Sequence, residues 1–158
     1  MNTKQLIIGV AVLVVGTLVY LIDRSPDQTY FIYSGIVDIS FYSAGHHAFG
    51  RAGCNLPSFF HVVSFILLTA GLFSLRTKGY RIVCISWMVV DCAFELGQKY
   101  SALPLRIIPE WFTGIPFLEN TKSYFLHGTF DFLDLAAIAL GSIIAYCILL
   151  RTPKRRFE

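Results

Sequence analysis

Four apolar runs, residues 6–22, 57–75, 81–98 and 132–150, leave this chain few ways to fold. At about 1.5 Å rise per residue, each spans or nearly spans a hydrocarbon layer of about 30 Å. In lipid every backbone polar group must be satisfied internally, and a run of this length does that as a helix. The composition agrees: of 158 residues 55% are hydrophobic and 15% charged, with a mean hydropathy of +0.62. That balance excludes an ordinary water-soluble domain. The expectation is an all-α integral membrane bundle of four transmembrane helices in one domain.

The first run follows Lys4 and leaves through Tyr20-Leu21-Ile22-Asp23-Arg24 with no small-residue cleavage site, so it reads as a retained anchor. It is apolar all round, carries Gly9 and Gly16, and is expected to offer no chemistry. Cys84, Cys92 and Cys147 fall within the runs and Cys54 alone in a loop, which gives no disulfide framework.

Charge placement sets the orientation. Lys4, then Arg76, Lys78 and Arg81, then Arg151, Lys154, Arg155 and Arg156 cluster beside the runs, with Glu158 the only acid among them. By the positive-inside rule these segments are cytoplasmic. Both termini then lie on the cytoplasmic side of the membrane, and two long loops, residues 23–56 and 99–131, lie outside. Basic residues beside a membrane helix are topology anchors or lipid contacts, not a nucleic-acid surface.

The outer loops are not ordinary linkers. Residues 30–49 are aromatic and half-apolar, interrupted by Asp38 and His46-His47, and read as an interfacial segment. The histidine pair has no third ligand at metal-binding spacing, so it is read as a loop feature. Residues 104–118 bring Pro104, Pro109 and Pro116 with Trp111, Phe112 and Phe117, the makings of an ordered lid at headgroup level.

Polar residues inside the runs carry the functional signal, because an ionisable group in a span costs about 2.5–3.5 kcal/mol on insertion scales and calls for a partner or a job. Asp91, Glu95 and Gln98 fall at i, i+4 and i+7 on one helix face. The second run is expected to start near Pro57, in the first-turn position that suits proline, which places His61 about 6 Å inside the outer end, level with Glu95, with Ser64 at i+3 on the same stripe. The fourth run opens with Asp131 and Asp134 at i and i+3, Thr129 being the expected cap. Asp134 continues along its face as Ala137, Gly141 and Ala145, a small-residue ladder that admits a close neighbour. Three helices therefore bring polar groups to one level near the outer surface, and nothing comparable is expected on the cytoplasmic side. Arg106 and Lys122 are the outer cations placed to meet a phosphate or carboxylate.

His61-Val62-Val63-Ser64-Phe65, Phe94-Glu95-Leu96-Gly97-Gln98 and Thr129-Phe130-Asp131-Phe132-Leu133-Asp134 together resemble the VanZ-like family of small bacterial membrane proteins, over about residues 57–150. The resemblance implies a cell-envelope protein of the kind first associated with teicoplanin resistance. His61, Glu95, Gln98, Asp131 and Asp134 match positions typical of that family. Pro57-Ser58, Gly128 and Ile138 stand where family members often carry Asp-Lys, arginine and asparagine, which marks a divergent member.

Two kinds of function follow as expectations. One is an envelope factor whose polar layer binds a lipid-linked or glycopeptide ligand through Ser64, Asp91, Gln98, Asp131 and Arg106. The other is an enzyme using His61, Glu95 and Asp134 for acid–base chemistry on such a substrate. No metal or cofactor is expected. Membrane lipids are the expected surroundings, and a homo-oligomer is compatible with the pattern.

Overall fold

A computed structural model describes residues 1–26, 39–43, 48–50, 52–116 and 118–153. His46-His47, Asp38 and the basic tail from Lys154 lie outside the described residues, as does most of the stretch 30–49. Each apolar run is a helix: α1 is Thr3–Asp23, α2 Ala52–Leu72 and α3 Thr77–Lys99. Two short helices follow, α4 Ala102–Ile107 and α5 Thr121–His127, before the long α6, Phe132–Arg151. No β-strand occurs among the described residues.

Three of these helices, α1, α2 and α6, are long and apolar enough to cross a membrane, with mean hydropathies of 2.5, 1.5 and 2.3. The 23 residues of α3 include Lys78, Arg81, Asp91, Glu95 and Lys99, so composition alone does not make it a span.

The bundle is built around α2, which packs against α1, α3 and α6. Its Val62, Val63, Ile66, Leu67 and Ala70 form the core with Tyr80, Val83 and Cys84 of α3 and Ile138, Ala145 and Leu149 of α6. Small residues set these approaches. A Cβ at Gly16 would lie 2.9 Å from Phe60 Cβ, and one at Gly141 only 2.5 Å from Val62 Cγ1 and 3.0 Å from the Phe59 carbonyl. Lipid tails are as apolar as leucine, so close backbone packing rather than a hydrophobic drive joins such helices. The reverse faces expose Ile7, Val10, Val14 and Leu18 of α1, Ile82, Ile85 and Val89 of α3, and Leu140 and Ile143 of α6.

The start of α2 corrects the sequence reading. The helix begins at Ala52, so Pro57 lies inside it rather than in its first turn. The end of α2 is closed by Ser74, whose φ of 51° is left-handed, and by a bond from the Leu75 N–H to the Ala70 carbonyl at 3.0 Å. This is the Schellman arrangement, with serine where glycine is usual.

The opposite end of the bundle also departs from expectation. Gln5 is fully buried, and its amide donates to Tyr80 Oη at 3.1 Å and to the Thr152 carbonyl at 3.0 Å. Asn2 donates to the same carbonyl at 2.9 Å, while its backbone N–H reaches the Gly71 carbonyl at 2.7 Å. A second polar layer thus ties α1 to the ends of α2 and α6 where the sequence pattern promised none. It is built of amides and hydroxyls donating to one another and to the Thr152 carbonyl, and the Gln5 Oε1 finds no partner among the described residues.

Candidate functional site

The layer on which the sequence reading converged is assembled from four helices and the cap formed by α4 and α5. Helix α3 supplies its spine. Asp91 and Glu95 are 8% and 7% exposed, one turn apart on the face that meets the bundle. His61 Nδ1 of α2 lies 3.6 Å from Asp91 Oδ1, with the imidazole half exposed and seated against Phe65 and Trp87 at ring separations of 4.3 and 6.5 Å. The Tyr124 hydroxyl of α5 donates to Glu95 Oε1 at 3.4 Å. Burial, with the Glu95 charge adding to it, raises the Tyr124 phenol above its ordinary value, so it remains a donor.

The other oxygen of each carboxylate is left over. Asp91 Oδ2 and Glu95 Oε2 are buried and have no hydrogen-bond partner among the described residues. Buried polar atoms are nearly always paired, so two orphans one turn apart form an acceptor pair without a donor. Gly97 seats the cap beside them: a Cβ there would lie 2.5 Å from Phe125 Cε1, and Phe125 stacks on Phe94 with ring centroids 5.6 Å apart.

Helix α6 contributes differently. Asp131 is the N-cap, its Oδ1 accepting from the Leu133 N–H at 2.9 Å and its Oδ2 from Asn55 at 3.3 Å. It therefore takes the role expected of Thr129. Asp134 Oδ1 accepts a short 2.7 Å bond from the Ser58 hydroxyl. At the same end of the bundle Arg24, which follows α1, donates to the Cys54 carbonyl at 3.4 Å.

Of the residues singled out from sequence, His61, Asp91, Glu95, Asp131 and Asp134 lie along this layer. Gln98 lies at its rim, against Tyr124 and Gly128. Ser64 does not join it: fully buried, it donates to the His61 carbonyl of its own helix at 2.8 Å. Arg106 is exposed on α4. Because α2 starts at Ala52, His61 lies deeper than a start at Pro57 implies and pairs with Asp91 rather than Glu95. Asn55 and Ser58 take the outer positions instead, and the steps of three from Asn55 to Ser58 and from Ser58 to His61 were a visible signal. Tyr124 and Arg24 carried no such signal, since neither lies in a periodic stretch beside a partner.

No group of three or more His, Cys, Asp or Glu side chains suited to a metal ion forms among the described residues. The layer offers acceptors and a His–Asp pair. It can receive hydroxyl, amide or ammonium donors and can hold a proton at the imidazole. No protein family, curated protein or solved structure compared with the chain matches it.

Proposed function

We propose that the chain is a four-span protein of the bacterial inner membrane, VanZ-like in its site. In this reading its outer polar layer binds the donor-rich headgroup of an envelope lipid or peptidoglycan precursor and so influences glycopeptide susceptibility. The observation that carries this reading is the pair of buried, unpartnered carboxylate oxygens of Asp91 and Glu95. A ligand bearing hydroxyl, amide or ammonium groups supplies what they lack, and lipid-linked envelope precursors carry all three. The bound headgroup lies beneath α4, α5 and the stretch between them, whose exposed Leu103, Ile107, Trp111 and Leu126 suit the interface of the outer leaflet.

The test is the teicoplanin susceptibility of a bacterial host expressing the wild type, Glu95→Gln or Asp134→Asn at matched membrane levels. Protection by the wild type, lost in both variants, is the expected result. A wild type that gives no protection sinks the link to glycopeptides.

A second reading rests on the His61–Asp91 pair, the only imidazole–carboxylate contact within 4 Å among the described residues. A carboxylate that orients a half-exposed imidazole is suited to general acid–base work on a headgroup bound against Glu95. It predicts that Glu95→Gln and His61→Gln remove turnover of the substrate while the protein remains folded. Normal turnover in either variant eliminates the enzyme.

A further inference from the structure

Between α3 and α6, opening toward the end of the bundle far from the carboxylates, lies a groove of about 510 Å³ lined by Arg81, Cys84, Met88, Ala139, Ser142 and Tyr146. Its walls are almost wholly apolar. Its mouth is not: Arg81 Nε donates to Tyr146 Oη at 3.3 Å. That bond fixes the guanidinium at the rim and leaves its two terminal amino groups for a further acceptor. Lys4, Arg76, Lys78 and Arg151 lie at the same end, and none of the described acidic residues does.

An apolar slot opening onto a positive rim matches one class of molecule, an acyl chain whose headgroup is anionic. We infer that this groove is a binding site for an anionic phospholipid of the cytoplasmic leaflet, with one acyl chain between α3 and α6 and the phosphate on Arg81. The site is separate from the carboxylate layer, and it rests on the four-span reading only in requiring α3 to lie across the bilayer. Tyr146 holds the guanidinium in place, while the neighbouring cations raise the local concentration of anionic headgroups. Ser142 leaves the groove wall without a polar demand, because its hydroxyl is already bonded to the Ile138 carbonyl at 2.9 Å. A zwitterionic lipid fills the same slot but gains little from the rim.

The experiment uses the full chain in phosphatidylcholine nanodiscs doped with phosphatidylglycerol or phosphatidylcholine carrying a diazirine in the acyl chain. After illumination the labelled peptides are mapped by mass spectrometry. Labelling of the peptides bearing Met88 and Ile143 is expected to be about fivefold higher with phosphatidylglycerol, the effect of one favourably placed arginine at a membrane surface. Arg81→Gln is expected to bring that labelling down to the phosphatidylcholine level, and Ala139→Trp, which fills the slot, to lower both.

Equal labelling by the two lipids, or a preference that survives Arg81→Gln, overturns the site. So does labelling of the α1 face at Val10 and Val14 as strong as that of the groove. Labelling of α1 and α6 with none on α3, for either lipid, instead breaks the four-span reading.

Discussion

Ser58 and Asn55 lie one turn apart on α2 and serve the two carboxylates at the start of α6, but with different consequences. The Ser58 bond to Asp134 is short, at 2.7 Å, whereas Asp131 receives a 3.3 Å bond from Asn55 and a separate 2.9 Å bond from the Leu133 N–H. Ser58→Ala is therefore expected to destabilise the bundle by about 0.6–1.7 kcal/mol, the range for interhelical hydrogen bonds in membranes. Asn55→Ala is expected to cost less than Ser58→Ala, because the cap bond of Asp131 survives. Detergent-titration unfolding in mixed micelles checks the order, and equal losses defeat it. A still larger loss is expected for Gly141→Leu, whose side chain meets the Phe59 carbonyl as well as Val62, and backbone cannot step aside. The sequence marked which carboxylates call for partners, because charge is costly in an apolar run wherever the run ends up. Their partners were hidden, since a serine in a helix is unremarkable until a neighbouring helix fixes its register.

At the scale of elements, the turn between α2 and α3 stores strain that can be released. Ser74 is left-handed, at a cost of about 1 kcal/mol for a residue with a Cβ, and its buried hydroxyl has no partner among the described residues. Ser74→Gly is expected to raise stability by about 0.5–1 kcal/mol with no change in helix content, measured by the same unfolding titration. The cap behaves oppositely. Gly97 lets Phe125 lie on α3, so Gly97→Leu is expected to lift α5, separate Tyr124 from Glu95 and speed hydrogen exchange in residues 121–127 by about tenfold, the effect of roughly 1.4 kcal/mol of local stability. Unchanged exchange there shows that α5 is held by something other than this packing. Sequence reasoning placed an ordered lid at residues 104–118 from its prolines and aromatics, whereas the element docked on Gly97 is α5, through Phe125. That docking was not legible, because the two surfaces are distant in sequence and each is ordinary alone.

For the whole molecule the open question of architecture is whether α3 crosses the bilayer, and parity answers it. Four spans put reporters fused to the two termini on one side of the membrane; three put them on opposite sides. The expectation is that both report the cytoplasm, and that a membrane-impermeant maleimide applied to intact cells labels the exposed Cys54 before α2's core-facing turns but not the buried Cys84. Opposite-side termini reject the four-span arrangement. By itself the sequence determined that the chain is helical and lipid-compatible, which residues cannot be left in lipid, and where the positive charge gathers. These follow from composition and period, which are local. The tertiary structure alone decided that His61 faces Asp91, that Ser64 is spent on its own helix, that Gln5 and Asn2 tie the far end together, and that α3 and α6 part to leave a groove. Each depends on helix starts and rotations fixed by glycine contacts between distant segments, and a shift of one turn exchanges every partner.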